Sequence, residues 1–405
     1  MILSLSKYKD IFYNYGVLLL NMAIPLFILL YVTPKFGLNI YGDIVSYQII
    51  AVFLAIFVDF GVSFSLLRRL KGKRVTVQNS ISRVFGEIRF LILILIGITV
   101  YYLTCNLLSK YSGFNLSLIV MGYAFSSAVS IELYWLQDKI YKYFLILFIG
   151  KFFAILAMLF MSADNYLFVY SMAVFFSGLF IWVAQYIDLF FGKVKRLSLV
   201  FLPKYFAYIL SFTALKISSA MYSNIPRTLN LSFLGKSELG VYMIWDQIYQ
   251  LFNLILIPIN LRLITMKNIS NNKSYLSKYF LIISILGAAL LYSAFLLFTP
   301  IIYELLEYFL NISRVSLSLY ANYFFMIISL GFANSILGMP ACSHIFKNPK
   351  SNFDYIYGIF IFSFFFIFSL WKELDILNLV VITLLLSEST IFLIRVTRIV
   401  RERNR

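Results

Sequence analysis

Residues 11–32 read IFYNYGVLLLNMAIPLFILLYV, an unbroken run with no charged side chain. Crossing a hydrocarbon core takes about 20 mostly apolar residues as a helix. The run meets that length. It is also longer than the apolar region of about 7–15 residues in a cleaved leader, so it reads as a retained membrane helix. Eleven further apolar runs follow, at Tyr41–Leu67, Val84–Leu108, Leu116–Leu136, Phe144–Met161, Tyr166–Phe191, Tyr205–Leu229, Val241–Leu261, Tyr279–Ile301, Val315–Met339, Tyr355–Trp371 and Ile376–Ile394. The expected fold class is therefore an all-α integral membrane protein with twelve transmembrane helices.

Composition agrees. Of 405 residues, 62% are hydrophobic and only 13% are charged. Soluble domains carry about 45–50% apolar and roughly 25% charged residues. Too little polar surface is present to coat a water-soluble globule, and a bilayer must solvate the rest. The net charge of +17 would suggest nucleic acid in a soluble protein. Here it reads as topology, and no nucleic-acid partner is expected.

The lysines and arginines set the orientation. Twenty-five of the 34 lie in the N-terminus, in segments 68–83, 137–143, 192–204, 262–278 and 340–354, and in the C-terminus. The alternate loops hold five: Lys35, Lys110, Lys236, Arg314 and Lys372. This bias places both termini in the cytoplasm and supports an even number of helices. The basic run Arg68-Arg69-Leu70-Lys71-Gly72-Lys73-Arg74 fits a cytoplasmic loop that also attracts anionic lipid headgroups.

Segment 192–204 divides the chain into an N-terminal six-helix lobe, residues 1–195, and a C-terminal six-helix lobe, residues 196–405. A short echo relates the halves. Gly37-Leu38-Asn39-Ile40-Tyr41-Gly42 follows the first run, and Gly235-Lys236-Ser237-Glu238-Leu239-Gly240 follows the seventh. Gln48-Ile49 and Gln247-Ile248 lie at similar offsets beyond. Two halves of six helices insert in the same orientation, an arrangement known among transporters.

Little in the chain suggests catalysis. Cys105 and Cys342 form no paired spacing, and His344 is the single histidine. Neither a metal site nor a Ser-His-Asp triad is indicated. There is no G-x-x-x-x-G-K-[ST] motif, which disfavours an ATP-driven pump. No enzyme is expected, and no cofactor beyond a proton or sodium ion for coupling.

Ionisable groups inside a membrane are costly, about 2.5–3.5 kcal/mol on insertion scales, so they mark candidate sites. Lys216 and Arg227 are eleven residues apart on the seventh span, close to three helical turns, and share a face. Tyr205, Tyr208, Phe212, Ser219 and Ser223 extend that stripe. Cations suit an anionic ligand, while tyrosine and serine suit a sugar. Arg227 could instead snorkel to the surface, and Lys216 could pair with a carboxylate. Asp246, on the eighth span with Gln250, Asn253 and Asn260, could neutralise Arg227. Lys151 lies about two turns into the fifth span and either lines a cavity or snorkels inward. Asp59 and Glu132 are candidates to carry a coupling ion or a structural charge. Arg83 and Glu87, four apart, suit a pair on one helix face.

One stretch carries a resemblance. Asn14-Tyr15, Pro25, Tyr31-Val32-Thr33-Pro34-Lys35-Phe36-Gly37, Tyr41-Gly42, Asp59-Phe60-Gly61 and Arg68-Arg69 together resemble the opening of the bacterial polysaccharide flippases. These include the O-antigen (Wzx-type) translocases of the multidrug/oligosaccharidyl-lipid/polysaccharide (MOP) exporter superfamily. The close match covers about 55 residues, and the two-halves plan extends over the chain. The resemblance implies a MATE-like pair of six-helix bundles around a central, cationic cavity. It implies an undecaprenyl-diphosphate-linked oligosaccharide carried from the cytoplasmic to the periplasmic leaflet of the bacterial inner membrane. Membrane lipids, and the polymerase and assembly proteins of polysaccharide synthesis, would be the partners. Lys151, Lys216 and Arg227 fit the cavity by charge and depth and are not taken from a family motif. Two alternatives stand beside this reading. A lipid-linked glycan polymerase or glycosyltransferase needs a sizeable external loop, and the longest outward segment, near Tyr303–Arg314, is about a dozen residues. A drug exporter of the same superfamily would need carboxylates where the seventh span offers cations.

Overall fold

The computed structural model describes residues 5–59, 70, 74–106, 112–128, 131–190, 224–231, 234–265, 273–345, 359–364, 367 and 376–403. All regular structure among these residues is helical. The chain opens with α1 (Leu5–Phe27), a π-helical turn at Ile28–Val32, α2 (Thr33–Phe36) and α3 (Leu38–Asp59). Next come α4 (Val75–Asn106), α5 (Gly113–Ala128), α6 (Ile131–Leu136), α7 (Ile140–Met158) and α8 (Tyr166–Phe190). After a helical segment at 224–231 follow α9 (Lys236–Thr265), α10 (Lys273–Leu310), α11 (Arg314–Ile345) and α12 (Ile376–Arg403).

Seven stretches among the described residues are long and apolar enough to cross a membrane: Phe12–Phe36, Leu38–Ala55, Val75–Thr104, Ile140–Met158, Tyr166–Leu189, Leu281–Leu310 and Val380–Thr397. The expected spans beginning at Leu116, Val241 and Val315 fall on α5 with α6, α9 and α11. The spans expected at Tyr205–Leu229 and Tyr355–Trp371 lie mostly outside the described residues, which show helix at 224–231 and 359–364. Several helices outrun their apolar runs. α4 begins at Val75, ahead of the expected Val84, and α12 continues to Arg403, past Ile394. Charged and polar ends leave the bilayer but keep their helical hydrogen bonds.

The first helix is bent by its own sequence. Pro25 lies inside α1 and has no N–H to give to the preceding turn, which loosens the helix there. The wide turn at Ile28–Val32 follows directly. Gly37, at φ +85°, then closes α2.

The chain forms two compact units. Unit 1 comprises Met1–Phe27 and Ile44–Ala220, and unit 2 comprises Ile28–Asp43 and Met221–Arg405. In unit 1, α5 and α8 share the most extensive helix contact described. Two glycines bring their backbones together. A Cβ on Gly178 would lie 2.0 Å from the Gly122 carbonyl oxygen, and one on Gly122 would lie 2.6 Å from that of Val174. Small residues permit such approach in membranes, where packing rather than water expulsion holds helices together. Elsewhere in unit 1, Val17 of α1, Phe85 of α4, Leu147 of α7 and Ile181 of α8 meet in one buried cluster. Unit 2 has an aromatic core. Trp245 stacks on Phe324 at 6.2 Å, and Phe295 on Phe325 at 4.7 Å. The Trp245 indole N–H donates to the Leu317 carbonyl at 3.2 Å, so its polar edge is satisfied. Outward-facing leucines such as Leu290 and Leu297 are 71% and 76% exposed, as a helix facing lipid chains requires.

Candidate functional site

Intramembrane charges mark a candidate site within each unit, and each unit handles them differently. In unit 2, Arg227 of the helical segment 224–231 meets Asp246 of α9. Arg227 Nε lies 2.9 Å from Asp246 Oδ2, and Nη2 donates to Oδ1 at 3.2 Å. Gln250 Nε2 donates to Asp246 Oδ2 at 2.6 Å, and Arg227 Nη1 donates to Asn224 Oδ1 at 3.3 Å. The side chains are 12% and 6% exposed. A forked guanidinium facing a carboxylate satisfies both charges in low dielectric. The Arg227 charge is thus balanced inside unit 2.

Lys151 is different. It lies on the buried face of α7 with Leu147 and Ala154 and is only 9% exposed. Neighbouring Gly150 admits Ile181 of α8 against the helix. Among the described residues no carboxylate or hydrogen-bond acceptor reaches the Lys151 amine. Lys142, nine residues earlier on the same helix, shows the contrast: its amine is 2.6 Å from Asp188 Oδ1 of α8. An unpaired ammonium buried among apolar side chains is unfavourable.

Other charges are structural. Arg83 Nε lies 2.8 Å from Glu87 Oε1 one turn along α4. Arg89, 2% exposed, donates through Nη1 to the Ala128 carbonyl at 3.1 Å, at the C-terminal end of α5 where helix carbonyls lack helical partners.

The remaining sequence-derived candidates divide simply. Tyr205, Tyr208, Lys216 and Ser223 lie outside the described residues. Asp59 closes α3 and Glu132 lies in α6, with neither side chain described. Of the candidates, Arg227 and Asp246 are brought together. Lys151 lies in unit 1.

Sequence reasoning missed a second buried carboxylate, Glu388 of α12, 3% exposed. Tyr249 of α9 donates its hydroxyl to Glu388 Oε1 at 2.8 Å. Asn334 of α11 donates its amide to Glu388 Oε2 and, at 2.9 Å, to the Glu388 backbone carbonyl. Arg395, two turns further along α12, donates to the Asn334 backbone carbonyl rather than to the carboxylate. Asn334 Oδ1 stays buried without a hydrogen-bond partner. Among the described residues Glu388 is therefore held by the neutral donors Tyr249 and Asn334. The signal in the sequence was Ser387-Glu388-Ser389-Thr390, a polar step within the last apolar run. Among the described residues no group of three or more His, Cys, Asp or Glu is placed to hold a metal ion.

The fold has solved counterparts. It is similar to the inward-facing conformation of a multidrug resistance MATE family transporter of the MOP superfamily, with TM-score 0.62 over 95% of each chain at 12% identity. The outward-facing conformation of such a transporter gives TM-score 0.59 over 96% of this chain and 94% of that one, at 13% identity. The fold is that of the MATE transporters. A MATE structure in the bent conformation gives TM-score 0.60 at 12% identity, over 96% and 93% of the chains. No protein-family model matches the sequence, and no curated protein matches it. The all-α membrane architecture expected from the apolar runs, with the MATE-like arrangement that the resemblance implied, is thus the architecture found.

Proposed function

We propose that this protein is a flippase that moves an undecaprenyl-diphosphate-linked oligosaccharide from the cytoplasmic to the periplasmic leaflet by alternating access. The observation that carries the reading is Lys151, a buried cation of a membrane-spanning helix without an acidic partner among the described residues. A diphosphate supplies the missing negative charge through charge-assisted hydrogen bonds, worth roughly twice a neutral one. The MATE-like fold supports alternating access, since solved transporters of that fold include inward-facing and outward-facing conformations. The polyprenyl tail stays in lipid while the charged head crosses. Lys216 is the second proposed cation. Arg227 contributes less, because Asp246 already balances it. The distribution of basic residues supports both termini in the cytoplasm and an inner-membrane location.

Coupling to a proton or sodium gradient falls to Glu388 in this reading. Its carboxylate is buried and has no cationic partner among the described residues, whereas Asp246 is occupied by Arg227.

A second reading has its own observation. The MATE transporters of similar fold are described as multidrug resistance proteins, and Glu388 offers a carboxylate suited to an organic cation. Reconstitution separates the two. Vesicles holding the purified protein are tested with a polyprenyl-diphosphate-linked oligosaccharide and, separately, with a cationic dye. Translocation of the lipid-linked sugar that fails in Lys151→Met is the expected result. Dye transport that survives Lys151→Met and fails in Glu388→Gln supports the drug exporter.

A further inference from the structure

Glu388 and the residues around it lie wholly within unit 2. Tyr249 comes from α9, Gly331 and Asn334 from α11, and Glu388 from α12. The two carboxylate oxygens face different chemistry. The Asn334 amide nitrogen donates to the Glu388 backbone carbonyl at 2.9 Å and also to Oε2. A carbonyl can only accept, so the nitrogen is the amide atom that belongs there. Oε2 is therefore an acceptor. Oε1 faces the Tyr249 hydroxyl at 2.8 Å, and a hydroxyl can donate or accept. A proton carried by this carboxyl group belongs on Oε1.

Tyr249 also links the carboxylate to accessible surface. Glu388 is 3% exposed and Asn334 5%, whereas Tyr249 is only partly buried. The edge of its ring rests on Gly331. A Cβ at that glycine would overlap the ring and lie 3.0 Å from the hydroxyl oxygen. Hydrogen alone at this Cα leaves room for the tyrosine. Gly331 and Asn334 are three residues apart and share a face of α11. One helix face thus seats the hydroxyl and holds the opposite carboxylate oxygen. Arg395, the charged group nearest along α12, is directed to the Asn334 backbone carbonyl.

We propose that the Tyr249 hydroxyl, seated on Gly331, is the relay through which a proton enters and leaves Glu388. The inference rests on the reading of Glu388 as the coupling group, and it makes the coupled ion a proton. The step balances. The hydroxyl passes its proton to Oε1 and takes another from a hydronium ion on its open side, which leaves as water. One O–H bond breaks at the phenol and one forms there, and rotation about the C–O bond resets the group. Release is the reverse. A hydroxyl cannot hand on a sodium ion in this way. Sodium would have to push the ring off its seat on Gly331.

The test follows the infrared carbonyl band of protonated carboxyl groups in the purified full-length protein after a rapid drop in pH. The part of the band that Glu388→Gln removes belongs to Glu388. Tyr249→Phe keeps the ring on Gly331 and removes only the hydroxyl. It should fold as the parent does and slow the rise of that band about a hundredfold, within the range of a positioned proton-transfer group. Gly331→Ala displaces the hydroxyl and should slow it as well. The double variant should be no slower than the slower single one, because both act on one contact. Replacing potassium by sodium at fixed pH should leave the band as it is. A parental rate in folded Tyr249→Phe would overturn the relay, and so would loss of the band on adding sodium. Absence of any Glu388-dependent band in the parent would remove the coupling reading and the relay with it. A normal band with a parental rate in Tyr249→Phe removes the relay alone. No solute enters the assay, so the flippase reading is tested separately.

Discussion

Lys151 and Glu388 have opposite charge and the same predicament: each is buried in a membrane-spanning helix without a counter-ion among the described residues. Removing an unpaired buried charge relieves a desolvation cost, so a purely structural Lys151 would be expendable. Lys151→Met should therefore keep or raise thermal stability in detergent while lowering lipid-linked sugar flux about tenfold or more, the loss of one charge-assisted contact. Paired melting and flux measurements check this. Glu388→Gln preserves the shape and can still accept from Tyr249. It should fold, yet lose the dependence of flux on an imposed proton or sodium gradient. Both residues stand in the sequence as charges within apolar runs, but only one was recognised there. Lys151 is bracketed by long apolar stretches. Glu388 sits among Ser387, Ser389 and Thr390, and its isolation shows only when α9 and α11 bring Tyr249 and Asn334 to it.

At the scale of elements, apolar length identified the helices, because a bilayer imposes one length on every crossing. It did not identify their ends, since polar turns continue the helix beyond the lipid, as α4 and α12 do. The kink in α1 was implicit in Pro25. Helix partners were not legible, because they depend on which faces meet. The Arg227–Asp246 pair joins two successive elements and illustrates the energetic consequence. Arg227→Ala strands a buried carboxylate and should cost about 3–5 kcal/mol. Arg227→Met combined with Asp246→Leu should cost far less, because neither charge remains. Unfolding of the purified variants compares them. Gly178→Ala should destabilise the α5–α8 contact by about 1–3 kcal/mol, since its methyl would meet the Gly122 backbone.

At the scale of the whole molecule, a sequence without a matching family model folds as MATE transporters do. Such agreement at 12–13% identity reflects how few features the fold demands: apolar runs of the right length, basic loops on alternate sides and small residues where backbones meet. Those features are spread over many positions and tolerate wide substitution. The proposed solute would be chosen by a handful of side chains, and two of the candidates read from the sequence, Lys216 and Tyr205, lie outside the described residues. The most direct test is transbilayer movement of a fluorescent polyprenyl-diphosphate-linked oligosaccharide in vesicles containing the purified protein, followed by quenching in the outer leaflet. A flippase exposes the inner-leaflet pool to the quencher much faster than protein-free vesicles do, and Lys151→Met abolishes the gain. Exposure no faster than in protein-free vesicles, with the protein folded and a cationic dye crossing instead, contradicts the proposed function.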